Sequence, residues 1–230
     1  MSALPEWLRP LADRAAAPDV AARVRFRVPP MPQGETRDAA VLVLFGERRP
    51  GHGDVLLIER AHQLRAHAGQ PAFPGGALDP EDDGPVGAAL REAAEETGVR
   101  VGGVEVFAVL PELHLPVSSY LVTPVLAWWR EPSAVAPVDP AEVAAVHRVP
   151  LADLVDPANR LRIRYPSGWV GPAFRVAGMT VWGFTGGLLD RILALGGWER
   201  PWDRAIVEDL DQLGLSGSAT PAPGTGSGTP

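Results

Sequence analysis

The chain has 230 residues, of which 46% are hydrophobic, enough to bury one substantial core with room for a small extension. It contains no cysteine, which excludes disulfides, thiolate metal sites and cysteine nucleophiles. Its net charge of -7 argues against a general nucleic-acid surface, because phosphate polymers are gripped by clustered lysine and arginine.

Residues 6–16 carry Trp7, Leu8, Leu11 and Ala15 at helical spacing, and a proline-rich stretch at 28–32 then breaks regular structure. Residues 1–35 are therefore expected to form a helical lead-in arm. No basic region followed by an apolar run opens the chain, and no apolar stretch reaches about 18 residues. No membrane attachment is expected, and the cytoplasm is the default location. Residues 39–45 read as a buried strand and 54–59 as its partner across a Gly51-His52-Gly53 turn. Further strands are expected at 104–110, 120–128, 144–149 and 161–165, with helices at 185–195 and 202–213. This organisation implies one domain over residues 36–200 and a C-terminal helix over 201–213. Residues 214–230 are rich in Gly, Pro, Ser and Thr, have too little apolar surface to fold, and are expected to form a disordered tail.

The segment between the first strands and the later ones carries the chemistry. On a helix, Glu92, Glu95 and Glu96 stand three and four residues apart and share a face, where like charges repel by roughly 0.2 to 0.5 kcal/mol per pair. A hard divalent cation held through oxygen ligands, Mg2+ or Mn2+, would relieve that repulsion and points to phosphate chemistry. A solvated acidic face is the alternative for such a run. Asp82 and Asp83 offer capping carboxylates, Pro85 suits the first turn, and Gly98 can stop the helix in the left-handed conformation. Val86, Ala89, Leu90, Ala93 and Thr97 supply its inward face. Strands of mixed direction around this helix give an α/β fold, a sheet covered by helices.

Arg91-Glu92-Ala93-Ala94-Glu95-Glu96-Thr97-Gly98-Val99 resembles the second half of the Nudix hydrolase signature. Counting back from Arg91 puts Asp83 at the signature's first acidic position, as Asp in place of Glu, and the loop from Gly76 is one residue longer than the general pattern. Upstream, Arg60, Arg65, Gly69 and Phe73 to Gly76 match in spacing the extra motif of the coenzyme A pyrophosphatase branch, with Ile58 and Ala61 where it has Thr and Ser. Weaker echoes at 122–125, 142–159 and 181–185 extend the resemblance over roughly residues 38–195. It implies an α/β/α sandwich with a mixed β-sheet and a loop-helix-loop catalytic motif. It also implies metal-dependent cleavage of coenzyme A or its acyl derivatives into 4'-phosphopantetheine species and adenosine 3',5'-bisphosphate.

Carried over position by position, the resemblance makes Glu92, Glu95 and Glu96 the metal ligands, joined by a backbone carbonyl near Gly76 or Ala77. Arg91 orients a catalytic glutamate through an ion pair, for which Glu95 at the i+4 position is suitable. The general base is open between Glu95 and Glu142, and Glu142 reads equally well as a cap of a short helix. Arg60 and Arg65 are planar donors suited to phosphate, while Gly75 and Gly76 let backbone approach the metal and the diphosphate. His62 and His67 read as solvated or structural, and Trp128, Trp129 and Trp182 as packing residues, with stacking on adenine as the other role. A Nudix enzyme acting on ADP-ribose, NADH or a nucleoside triphosphate, or a non-catalytic nucleotide sensor, are the rival functions. The intact set of Arg91, Glu92, Glu95 and Glu96 favours catalysis. The expected partner is a small-molecule substrate, with neither nucleic acid nor membrane, and the N-terminal arm and surplus tryptophans would suit a homodimer.

Overall fold

The computed structural model describes residues 4–25, 36–64, 67–115 and 120–213. The proline-rich stretch at 28–32, Arg65 and the expected tail at 214–230 lie outside the described residues. A 3-10 turn at Glu6–Leu8 leads into helix α1 (Arg9–Ala15), in line with the helical spacing of Leu8, Leu11 and Ala15, and a short α2 (Val20–Val24) follows.

Strand β1 (Arg37–Arg49) explains why its sequence reads as one apolar run. Ala40, Leu42 and Leu44 enter one core cluster while Val43 and Phe45 enter another, so successive side chains are buried on opposite faces. Strand β2 (His52–Arg60) divides in the same way, with Leu56 on the first face and Val55 and Leu57 on the second. Short strands β3 (Pro71–Ala72) and β4 (Gly75–Ala77) precede helix α3 (Gly84–Thr97). Strands β5 (Val104–Val109), β6 (Leu113–Leu115), β7 (Tyr120–Trp129) and β8 (Val143–Pro150) complete the main sheet. Its order is β3-β2-β1-β7-β5, with β4 on β1, β6 on β7 and β8 on β2. The β1–β7 pair is parallel and the others antiparallel, which makes the sheet mixed.

Helix α4 (Leu151–Val155) links this sheet to a second one made of β9 (Arg160–Arg164), β10 (Val170–Val176), β11 (Met179–Val181) and β12 (Val207–Asp209), with helix α5 (Gly183–Gly196) between the last two strands. Helix α3 covers one face of the main sheet through Ala88, Ala89 and Ala93. Leu8 and Leu11 of the N-terminal region and Leu188, Leu189, Ile192 and Leu193 of α5 cover the other. The result is an α/β/α sandwich.

The helix expected over 201–213 is not formed. Residues 207–209 instead pair in parallel with β9, and the ion pairs Arg164–Asp209 and Arg175–Glu208 fix them there. On a helix Ile206 and Leu210 would share one face, yet Ile206 is 42% exposed while Leu210 is buried beside β9. Among the described residues, no helix is long and apolar enough to cross a membrane.

One feature of the topology positions the site. Pairing between β1 and β2 is confined to the turn-proximal residues, from Phe45↔Val55 to Arg49↔His52. Toward its start β1 pairs with β4, through Ala39↔Ala77, Ala40↔Gly76 and Val41↔Gly75. The glycine-rich loop is thus laid against β1 where β2 has parted from it, and α3 packs over both.

Candidate active site

Helix α3 has the boundaries that its residues favour. Pro85 lies in the first turn, and Gly98 ends the helix at φ 69°, donating its N–H to the Ala94 carbonyl at 2.9 Å. The capping expectation is corrected: Asp83 occupies the N-cap position but its side chain accepts no capping hydrogen bond. Asp82 is engaged elsewhere.

Arg91 is the hub of the segment. Its Nε donates to Asp82 Oδ1 at 2.9 Å and its Nη2 to Asp82 Oδ2 at 3.0 Å, a bidentate pair. Nη2 also reaches the Ala77 carbonyl at 3.2 Å and lies 3.4 Å from Asp79 Oδ2. Nη1 donates at 3.0 Å to both Glu92 Oε1 and Glu95 Oε2. One guanidinium therefore ties loop to helix. Hydrogen bonding from Arg91 holds the Asp82 carboxyl below its ordinary value, and Asp82 in turn raises that of Arg91. Asp79 escaped the sequence reading, and Asp82 was expected there only as a cap and not as the partner of Arg91. The signal was available in the lengthened loop, since counting forward from Gly76 instead of back from Arg91 puts Asp82 at the first acidic position of the signature.

Glu96 and Glu92 turn toward the glycine loop. Glu96 Oε2 accepts the Gly75 N–H at 3.0 Å, and Oε1 lies 4.0 Å from Arg60 Nη1. Its side chain is only 7% exposed. Burial pushes the Glu96 carboxyl up to about 7, against the opposing pull of the Gly75 N–H and Arg60, and the charges of Glu92 and Glu142 push the same way as burial. Glu92 is also raised, by burial first, with Arg91 opposing. Gly75 is required by its φ of 155° and by close approach, since a Cβ there would stand 2.7 Å from Val41 Cα, whereas a Cβ on Gly76 would stand 2.5 Å from Glu92 Cδ and displace that carboxylate.

The remaining predicted residues are distributed around this pair. Glu95 is 58% exposed and shares Arg91 Nη1 with Glu92, each carboxylate oxygen at 3.0 Å. Glu142 is exposed near the end of β2, where its backbone carbonyl accepts from Ala61 N at 2.9 Å, and its charge is felt at Glu96. Arg60 Nε is buried without a hydrogen-bond partner. His62 Nε2 pairs with Glu59 Oε1 at 3.2 Å and His67 Nδ1 with Gln70 Oε1 at 2.9 Å, in keeping with structural roles. Trp128 and Trp129 are buried in the two cores, whereas Trp182 is half-buried against Tyr165.

The donor set suits a hard cation. Its side chains are carboxylates, Glu92 and Glu96 are partly removed from water, and the glycines clear space beside them. As the side chains lie, no three His, Asp or Glu among the described residues converge to hold an ion.

A family model of the NUDIX domain matches residues 35–168. A Citrobacter koseri protein named uncharacterized Nudix hydrolase NudL is 40% identical over 183 residues, covering 75% of this chain and 90% of its own length. A Cronobacter sakazakii protein of the same name is 40% identical over 178 residues, covering 72% and 85%. The crystal structure of a Nudix hydrolase from M. smegmatis, RenU, superposes with a TM-score of 0.52 at 22% identity over 73% of this chain and 90% of that one, a likeness of fold. With the signature residues gathered on α3 and its loop, the chain belongs to the Nudix hydrolase family.

Proposed function

We propose that the protein is a metal-dependent hydrolase of the diphosphate bond of coenzyme A and its acyl derivatives, releasing 4'-phosphopantetheine species and adenosine 3',5'-bisphosphate. The observation that carries this reading is the pair Glu92 and Glu96, drawn out of water against Gly75 and Gly76 with Arg60 alongside. Two desolvated carboxylates that repel each other are costly as a purely structural arrangement, but suit a dication. The narrower assignment to coenzyme A is supported by the spacing of Arg60, Gly69 and Phe73 to Gly76, and by Arg65 at its matching position.

Glu92 and Glu96 would hold Mg2+ or Mn2+, with Glu95 or a backbone carbonyl of the glycine loop completing the protein ligands. A cation bound there supplies charge neutralisation of the diphosphate and a water of lowered pKa. In the hydrolysis itself, the water oxygen bonds to one phosphorus as the bridging P–O bond breaks, and the departing phosphate keeps the electron pair. Arg60, whose buried Nε lacks a partner, is suited to pair with phosphate oxygens during that transfer. Glu95 and Glu142, both exposed carboxylates, are the candidates to accept the water's proton. Arg91 fixes the rotamers of Glu92 and Glu95 and thereby orients both.

The test is hydrolysis of a panel of coenzyme A, acetyl-coenzyme A, NADH and ADP-ribose with Mg2+ or Mn2+, followed by mass analysis of the products. Coenzyme A and its ester should give adenosine 3',5'-bisphosphate. Turnover of NADH or ADP-ribose without coenzyme A would overturn the narrower assignment, and absence of turnover on every substrate would leave a nucleotide-sensing module.

A further inference from the structure

A cavity of about 570 Å3 lies under the β1–β2 turn, at the far end of β1 from the glutamates. Gly75 backs onto Val41, whereas the cavity is lined by Arg48 and Arg49, so the two sites are separated by about 23 Å along an extended strand. Its volume is in the range of roughly 300 to 1,000 Å3 occupied by small-molecule pockets.

The lining has two chemical characters. Trp7, Leu151, Val155 and Trp198 give an apolar and aromatic wall. Arg48, Arg49, Arg200 and His52 bring cationic or protonatable groups to the same space. Among the described residues, Arg49, Arg200 and His52 make no side-chain hydrogen bond or ion pair. Asp54 is the only carboxylate on the lining, and Arg148 already holds it bidentately at 2.9 and 2.7 Å. In a chain whose net charge is -7, unpaired guanidiniums around an indole-lined cavity call for an anion with a planar aromatic body.

We propose that this cavity is a second binding site, for a nucleoside monophosphate, with the base against Trp7 and Trp198 and the phosphate on Arg49 and Arg200. The wall joins the N-terminal helix region, the β1–β2 turn, α4 and the segment after α5, so an occupant would bridge four separate parts of the chain. The site is independent of the hydrolytic reading, since it shares no residue with it.

Adenosine 5'-monophosphate, which has no anhydride bond to cleave, is the probe, titrated calorimetrically into the full chain with EDTA present. Saturable one-site binding is expected, weakened at least about tenfold by Arg49→Ala combined with Arg200→Ala, because two charge-assisted contacts to phosphate are lost. The single change Arg200→Gln should weaken it less, and Arg60→Ala should leave it within about twofold. Circular dichroism of each variant verifies its fold. Absence of saturable binding, unchanged affinity in the double variant, sensitivity to Arg60→Ala alone, or equal affinity for inorganic phosphate or for adenosine would each overturn the proposal. Hydrolysis of the substrate panel remains separately measurable in all of these variants.

Discussion

Glu96→Gln should remove a pH dependence from the stability of the metal-free protein. Burial lifts the Glu96 carboxyl from an ordinary 4.5 to about 7. At about 1.36 kcal/mol per unit this corresponds to about 3 kcal/mol. The folded state holds the proton more tightly than the unfolded state, so the contribution favouring folding is complete below pH 4.5 and is lost as pH rises through about 7. Gln cannot titrate. In urea denaturation with EDTA, the wild-type protein should therefore lose about 2 to 3 kcal/mol relative to Glu96→Gln between pH 5 and pH 8. Saturating Mg2+ should restore the wild-type protein at pH 8 and leave the variant less affected, because an ion that binds the folded state stabilises it by mass action. Stability curves for the two proteins that run parallel within about 0.5 kcal/mol from pH 5 to pH 8 would refute the argument that Glu96 is desolvated.

Asp82→Asn should lower hydrolysis by at least about tenfold, by weakening the bidentate hold on Arg91, whereas Asp83→Asn should stay within about twofold. Steady-state rates on coenzyme A separate the two, and equal effects would contradict the lengthened loop. Gly76→Ala drives a methyl group into the Glu92 carboxylate and should weaken Mg2+ binding, read by the metal dependence of the rate, at least about tenfold with the circular dichroism spectrum unchanged. Asp190→Asn leaves the buried Arg160 guanidinium without its carboxylate partner and should destabilise the protein by about 3 to 5 kcal/mol in thermal unfolding. Activity at low temperature should persist, because Arg160 packs on Phe174 and Trp202 far from α3 in sequence.

The main sheet and α3 were legible because local pattern and burial agree there. The unbroken apolar runs of β1 and β2 mark strands buried on both faces, and small residues spaced along α3 mark the face that the sheet covers. Gly98 was readable as a stop for the same local reason. The second sheet was harder to read, since β10 and β11 are joined by a tight turn in which Ala177, a residue without turn preference, takes a positive φ of 52°. Strand β12 was misread because its partner, β9, lies more than forty residues earlier, and parallel pairing at that distance leaves no periodic trace. Within the site, sequence located the carboxylates but not their directions. Glu92, Glu95 and Glu96 look equivalent in the signature, and only the course of the glycine loop distinguishes Glu92 and Glu96, which border it, from the exposed Glu95.

The Arg91 hub bears on how this region could be moved between proteins. Because a single guanidinium spans Ala77, Asp79, Asp82, Glu92 and Glu95, grafting α3 alone onto another scaffold would strand a cation among acids it can no longer reach. The smallest cassette that carries its own internal cross-links runs from Gly75 to Gly98. A host for it needs one open strand edge, equivalent to Ala39–Val41, on which the glycines can dock.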